Sequence, residues 1–217
     1  MTAPTITQTV LFADLADRAV VATFDQPHAS SDGGAILLKA ADRQLGLLAA
    51  LTATVPDARA SARVTHGVGD LLAQRVFAIA CGHPDGNDAD RLADDPIHKL
   101  LLGRDPIGGG RLASQPTISR FEHTAAPRML LAMSAALADT VIARHRRRRR
   151  GVRLITIDLD VTEDQTHGAQ QLTFFNGFYD HWCYLPLVGT LTFDDEARQS
   201  LVAAILRPGN AAGTAAR

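Results

Sequence analysis

The feature that most constrains this chain is an apolar, strand-like run at 152–159 that ends in two closely spaced acids. Because strand side chains alternate between faces, Asp158 and Asp160 are predicted to share one face, with Ile155, Ile157 and Leu159 on the opposite face. Paired carboxylates on a rigid strand are a common way to hold Mg²⁺, which prefers oxygen ligands and is often shared with substrate phosphates. The pair therefore predicts metal-dependent phosphate chemistry; the alternative is a strand end whose acids are simply solvated.

Several motifs accompany these acids in a fixed order. The downstream set is Asp158-Leu159-Asp160-Val161-Thr162, His167-Gly168-Ala169-Gln170, Phe175-Asn176-Gly177-Phe178-Tyr179 and Cys183-Tyr184-Leu185-Pro186-Leu187. Further segments are Ser31-Asp32-Gly33-Gly34, residues 70–80, Gly86-Asn87-Asp88, residues 112–122 and Leu206-Arg207-Pro208-Gly209-Asn210. Many motifs in one order are far more specific than a single short motif. Through them, nearly the whole chain resembles bacterial insertion-sequence transposases with a DDE triad, the transposase DDE domain group 1 family.

The resemblance implies an α+β fold, in which a helical N-terminal DNA-binding region precedes the first strands of an RNase H-like (DDE) catalytic domain. It implies DNA transposition, a form of DNA recombination, by metal-dependent strand cleavage and transfer. The implied cofactor is Mg²⁺, and the implied partner is the double-stranded DNA of insertion-sequence ends. Asp160 is then the catalytic acid and a metal ligand, Asp158 is a second ligand, and Thr162 and His167 support the site. A homo-oligomer is compatible with this interpretation.

The family's second and third acids lie well beyond the first, and this chain offers few candidates for them. Only 57 residues follow Asp160. The cluster Asp194-Asp195-Glu196 follows a strand-like segment and is predicted to form a hairpin turn. We therefore expect a truncated copy that binds metal weakly and is inactive by itself. The family is enzymatic, but the second and third acids are not found in this chain, so the sequence does not decide whether the chain is an enzyme.

Two alternatives come from other functional classes. One is a non-catalytic DNA-binding protein that competes with a complete transposase for the element's ends. The other is a phosphohydrolase of the D-x-D-x-T type, in which the first Asp attacks phosphate. That fold needs a lysine downstream, whereas Lys39 and Lys99 are the only lysines and both precede the motif.

Basic charge concentrates just before the acidic strand. Residues 1–150 carry 18 basic and 15 acidic side chains, whereas residues 151–217 carry 4 and 8. Seven arginines stand within 144–153, and their mutual repulsion would penalise an isolated helix and favour a polyanion as partner. The run predicts salt-dependent contacts with DNA phosphates, and the alternative is a solvated linker. The predicted contact residues are Arg144, Arg146, Arg147, Arg148, Arg149 and Arg150.

A second DNA-binding candidate is a short helix after Ser114, which is a plausible N-cap and has Pro116 in the first turn. Ile118 and Phe121 are predicted to pack inward, leaving polar side chains at the helix start, where recognition helices contact DNA. The alternative is an ordinary capped surface helix. The side chains predicted to face DNA are Thr117, Ser119 and Arg120.

Periodicity and turn residues predict the remaining elements. We expect a strand at 19–24, helices at 35–54, 67–81, 88–95 and 127–145, and strands near 153–160, 182–193 and 200–207. On the second helix, Gln74 is predicted to face polar surroundings. The predicted domains are a mostly helical region at 1–143, an Arg-rich linker at 144–153 and the first part of the catalytic domain at 154–217.

Neither the cysteines nor the histidines show the spacing of metal ligands. Cys81 and Cys183 each stand alone in an apolar context, which is typical of a reduced compartment. No signal peptide and no run of about 18 apolar residues is present, so a cytoplasmic location is expected. Sequence reasoning assigns no chemistry to the histidines His66, His83, His98, His123 and His181.

Overall fold

The computed structural model describes residues 10–11, 20–21, 28–148 and 151–211. The chain forms two compact units, Met1–Ala126 and Pro127–Arg217. Helices and small antiparallel sheets make up the described elements, which confirms the predicted α+β class. The helix that the sequence analysis placed in the N-terminal region, at 127–145, belongs to the second unit.

In the described part of the first unit, a pair of short strands is followed by helices. Its two-residue strands pair antiparallel, and the second lies within the predicted strand at 19–24. The elements are β1 (Val10–Leu11), β2 (Val20–Val21), α1 (Ala35–Leu45), α2 (Leu47–Thr52), a 3-10 turn (Ser61–Arg63), α3 (Val68–Ala80), α4 (Asp88–Leu92), α5 (Pro96–Leu101) and α6 (Gln115–Glu122).

The prediction of a single helix over residues 35–54 is wrong, because the helix is interrupted at Gly46. This residue adopts the left-handed conformation (φ 71°), which glycine reaches without steric cost, and its N–H donates to the Asp42 carbonyl at 2.6 Å. The Asp42 carboxylate then accepts from the Leu48 N–H at 2.8 Å and helps to start α2. Apolar periodicity continues across the break and therefore does not reveal it.

Helix α3 packs between two groups of buried side chains. Leu71 joins one cluster, and Phe77, further along the helix, joins the other. Gln74 is 2% exposed, so its predicted polar surroundings are found inside the protein: its amide donates to the Ala113 carbonyl at 2.8 Å and accepts from the Ala113 N–H at 3.0 Å. Both halves of the buried amide are thereby satisfied, as burial requires. The first cluster is Leu71, Ala89, Ala113 and Ile118; the second is Ala35, Phe77 and Leu101.

The second unit combines one long helix with two three-stranded antiparallel sheets. The first sheet has the order β3-β7-β8 and the second β4-β6-β5. Helix α7 packs against β8, and the His145 ring stacks on Phe193 with centroids 3.9 Å apart. The elements are α7 (Pro127–Arg148), β3 (Ile155–Val161), β4 (Asp164–Gln165), β5 (Phe174–Asn176), β6 (His181–Tyr184), β7 (Leu187–Phe193) and β8 (Ser200–Ile205).

The strand expected at 182–193 is wrong as a single element. It divides around Leu185 and Pro186 into β6 and β7, which belong to different sheets. Proline has no N–H to give to a ladder, which explains why pairing stops there. The strands β4 and β5 are too short for periodicity to predict.

Gly209 is predicted to be indispensable for this unit. Its carbonyl accepts from the Asn176 side-chain amide at 2.8 Å, and a Cβ there would lie 2.2 Å from the Cys183 carbonyl oxygen and 2.6 Å from that of Phe174. Backbone cannot give way as a flexible side chain does. We expect Gly209→Ala to lower the free energy of unfolding by about 2–3 kcal/mol, measured by urea denaturation.

Gly177→Ala is the matched control for this prediction. Gly177 lies in the neighbouring Asn-Gly motif, and a Cβ there would meet nothing within 4 Å. Its substitution should change the free energy of unfolding by less than about 1 kcal/mol. Equal destabilisation by the two substitutions would contradict a steric role for Gly209.

Candidate functional site

The two acids of the D-x-D-x-T motif lie on β3. Along this strand Asp158 pairs with Thr190 and Asp160 with Val188, and the ladder to β7 has no register shift. Because alternation is unbroken, both carboxylates lie on the same face, as the sequence predicted. Both residues are exposed. The structure thus presents two accessible carboxylates side by side on a regular strand.

The opposite face of β3 is apolar and largely uncovered. Ile155, Ile157 and Leu159 are 51%, 66% and 53% exposed. On the neighbouring strand β7, Leu191 and Phe193 are buried. Among the described strands β3 is also the edge of its sheet, since it pairs only with β7. An open edge next to an uncovered apolar face is the kind of surface on which further structure packs.

The two predicted supporting residues lie beyond the strand. Thr162 follows β3 directly, and its N–H donates to the Pro186 carbonyl at 3.1 Å. His167 is exposed in the loop after β4, where its carbonyl accepts from the Gln170 amide at 3.4 Å. In the described part of the chain no hydrogen bond or ion pair joins His167 to Asp160. Both of these hydrogen bonds use the backbone of Thr162 and His167 and not their side chains.

Two other acidic positions of this unit are engaged elsewhere. A carboxylate oxygen of Glu163 lies 2.6 Å from His181 Nε2. Asp194 begins the predicted hairpin turn between β7 and β8, which the structure confirms, and its carboxylate accepts from the Arg153 and Leu154 N–H groups at 2.8 and 3.0 Å. Leu154 precedes β3, so Asp194 lies roughly 20 Å along the strand from Asp160, at about 3.3 Å per residue. A single metal site therefore cannot include the carboxylates of both Asp160 and Asp194.

The carboxylate pair on β3 fits a Mg²⁺ ion by donor type. Mg²⁺ is usually held by one or two protein carboxylates together with waters and substrate phosphates. Asp158 and Asp160 supply that number of carboxylates on one exposed face. Within the described ranges they do not belong to any group of three or more close ligating side chains. Asp158 and Asp160 thus supply two oxygen donors on one accessible strand face.

Helix α6 has the amphipathic arrangement that the sequence predicted. Ile118 is 1% exposed, and Phe121 packs against the same buried cluster. Ser114 occupies the N-cap position, although its hydroxyl contacts the Thr117 hydroxyl at 3.3 Å and caps no backbone N–H. Arg120 is exposed and donates to the Thr117 hydroxyl at 3.3 Å. The polar side chains Thr117, Ser119 and Arg120 thus remain on the outer part of the helix.

The arginine run begins inside α7. The helix extends to Arg148, past the end expected near His145, although like charges were predicted to penalise it. Two effects favour the longer helix: cations near a helix C-terminus interact favourably with its dipole, and buried His145 anchors this turn on Phe193. Arg149 and Arg150 lie outside the described residues. The exposed arginines in the last turns are Arg144, Arg146, Arg147 and Arg148.

Sequence reasoning missed a cluster in the first unit, formed by Asp32, His83 and His98. Both imidazole Nε2 atoms lie 2.9 Å from one oxygen of the Asp32 carboxylate. Burial raises the pKa of Asp32, but the hydrogen bonds from His98 and His83 outweigh it and hold that pKa below its usual value. The two histidines are 51 and 66 residues from Asp32, so no local spacing could reveal the cluster.

A family model described as transposase DDE domain group 1 matches residues 12–217. No curated protein and no solved structure matches. Among the described residues no single helix is both long and apolar enough to cross a bilayer, although α6 and α7 reach that length and hydropathy together as a bent pair.

Proposed function

This chain belongs to the transposase DDE domain group 1 family, and on that premise we propose that it binds the ends of an insertion sequence and supplies the first catalytic acid of DNA strand cleavage and transfer. Transposases with a DDE domain generally use a divalent metal, typically Mg²⁺. The observation that carries the proposal is the placement of Asp158 and Asp160 on one exposed face of a regular strand.

Asp160 is proposed as the principal metal ligand and Asp158 as its neighbour on the same strand face. A bound Mg²⁺ would polarise phosphoryl oxygens and stabilise charge that develops on the leaving oxygen. The contribution of the protein is position: the ladder between β3 and β7 fixes the spacing of both carboxylates before any substrate arrives. Thr162 is proposed to keep the end of β3 in place through its N–H bond to the Pro186 carbonyl.

The sheet β3-β7-β8 is proposed to be the first part of an RNase H-like domain. Two features of β3 support this assignment. Its outer edge is unpaired among the described strands, and its apolar face exposes Ile155, Ile157 and Leu159 by half or more. Further strands and a covering helix would bury that face, which is how such layers become stable. The acid-bearing strand would then lie inside the sheet and no longer at its edge.

Two surfaces are proposed to bind DNA in different ways. The exposed arginines that end α7 would neutralise phosphates, which gives affinity without sequence preference. The first turns of α6 would contact base edges, where sequence is read. The chemistry of each surface decides its role. The clustered arginines of α7 offer positive charge to phosphates. Thr117, Ser119 and Arg120 instead combine hydroxyl and guanidinium donors on a short, anchored helix.

The test of this function is the discrimination between element ends and random DNA. We expect the double substitution Ser119→Ala with Arg120→Gln to weaken binding to the element's ends roughly tenfold or more, because a lost base contact costs about 1–3 kcal/mol. Binding to random duplexes of equal length should change much less. Fluorescence anisotropy with both duplexes at one fixed salt concentration measures the ratio of the affinity for element ends to the affinity for random DNA.

Arg128→Gln is the matched control, since Arg128 is an exposed arginine outside α6. It removes the same charge and should leave the ratio of the two affinities unchanged. An equal loss on both duplexes in the α6 variant would reject a recognition role for this helix and leave it as a contact to the DNA backbone or as a surface helix.

The two alternatives fare differently. A non-catalytic competitor for element ends would use the same DNA-binding surfaces. This competitor is the second candidate function, because Asp194 is too far from Asp160 along β3 to complete a metal site with it. The phosphohydrolase alternative lacks a suitable lysine. Lys39 donates to the Leu101 carbonyl, and Lys99 lies 3.7 Å from the Asp94 carboxylate.

A further inference from the structure

Three segments that are distant in the sequence meet at a small polar cluster in the first unit. Asp32 precedes α1, His83 follows α3 in a turn, and His98 lies in α5. The side chains of Asp32, His83 and His98 are 9%, 16% and 0% exposed. Three groups that can carry charge are thus gathered where little water reaches them. The burial of this cluster calls for a physical explanation, because burying charged or polar atoms costs free energy.

The donor atoms have the types and spacing of metal ligands. One oxygen or nitrogen from each residue lies within 4.8 Å of the other two, and both Nε2 atoms lie 2.9 Å from the Asp32 oxygen. Ligands that are each about 2.0–2.2 Å from a Zn²⁺ ion stand roughly 3–4 Å from one another. Within the described ranges, these are the three side chains whose ligand atoms lie close enough together to hold one metal ion.

We propose that Asp32, His83 and His98 bind a divalent transition-metal ion, Zn²⁺ in the first place, and that the ion joins the start of α1 to α3 and α5. Zn²⁺ accepts two imidazole nitrogens and one carboxylate oxygen as ligands, whereas Mg²⁺ prefers an all-oxygen ligand set and binds imidazole nitrogens poorly. Three protein ligands leave a fourth position for water. This site is separate from the proposed Mg²⁺ position on β3 and does not depend on the proposed function.

Metal binding requires a change of tautomer at each histidine. Without metal, the Nε2–H groups donate to Asp32, which fits the contact of the Arg91 guanidinium with His83 Nδ1 at 3.0 Å. A metal takes the Nε2 lone pair, so the proton of a neutral imidazole moves to Nδ1. Among the described residues His98 Nδ1 has no hydrogen-bond partner, so no existing bond has to break when this atom takes the proton.

Arg91 must then leave Nδ1 of His83, because a guanidinium is a donor only. Its alternative partner is the Asp88 carboxylate, at 3.2 Å, and its side chain is 62% exposed and able to move. Arg91 therefore opposes metal binding in two ways, through its positive charge and through the tautomer that it selects. Its removal should tighten binding.

The experiment measures Zn²⁺ per chain and thermal stability on the 217-residue chain. Protein stripped with EDTA is incubated with Zn²⁺, desalted and analysed by mass spectrometry for metal. We expect about one Zn²⁺ per wild-type chain and a rise in Tm of roughly 5–10 °C at a Zn²⁺ concentration of about 100 Kd. His83→Gln and Asp32→Asn should lose both effects, and Arg91→Ala should lower the Kd several-fold.

Two controls separate this site from adventitious binding. His123→Gln removes an exposed histidine outside the cluster, and Cys81→Ser removes a thiol near it; each should retain the Zn²⁺ and the rise in Tm. If Asp32→Asn fails to fold, the more exposed His83→Gln carries the test. Wild-type protein that holds no more Zn²⁺ than His83→Gln, or whose Tm ignores both Zn²⁺ and EDTA, would overturn the proposal and leave a hydrogen-bonded cluster without metal.

Discussion

The 217-residue chain by itself is expected to leave supercoiled DNA that carries its element's ends uncut in Mg²⁺ or Mn²⁺. Strand cleavage by two metals needs carboxylates that surround both ions. The described part of the chain places Asp158 and Asp160 together, whereas Asp194 lies at the far end of β3 and Glu163 is paired with His181. With a partial ligand set, the cleavage rate should stay at background.

Agarose-gel detection of nicked and linear plasmid gives the measurement, and two variants make it decisive. Asp160→Ala should look the same as wild type, as should Asp195→Asn, which removes an exposed acid in the hairpin turn. Nicking by wild type and by Asp195→Asn that disappears in Asp160→Ala would contradict the expectation. It would show that a second copy, or acids elsewhere in this chain, complete the site.

The second large effect is expected from the arginines that end α7. Changing Arg144, Arg146, Arg147 and Arg148 to glutamine should weaken binding to unrelated duplexes equally, by roughly a hundredfold to a thousandfold at about 0.1 M salt. Each lost phosphate contact should also flatten the slope of log affinity against log salt by about 0.9. Glutamine is nearly as good a helix former as arginine, so α7 should persist, which circular dichroism can verify.

A variant with the same loss of charge at other places is the control. Arg59, Arg91, Arg111 and Arg128 are exposed arginines outside the run. Replacing these four arginines by glutamine lowers the net charge by the same amount as the α7 variant. It should change the slope of log affinity against log salt by less than the value for one phosphate contact. If both variants lose affinity to the same extent, the run acts through net charge alone; an unchanged slope in the α7 variant would make it a solvated helix end.

The sequence by itself determined the local features that carry the proposed function. Alternation along β3 places Asp158 and Asp160 on one face, and the Asp194 turn follows from three acids after a strand. The inward positions of Ile118 and Phe121 follow from helical spacing. Each of these depends on neighbours within a few residues, whose geometry is fixed by the repeat of a strand or a helix.

Only the tertiary structure decided which distant segments meet. The burial of Gln74 depends on both backbone groups of Ala113, 39 residues away, and nothing local distinguishes it from an exposed polar residue. The sheet membership of the strands on either side of Pro186 likewise depends on their partners. The cluster of Asp32, His83 and His98 is the clearest case: it exists because α1, α3 and α5 pack together, and packing between elements is set by the whole core and by no single stretch of sequence.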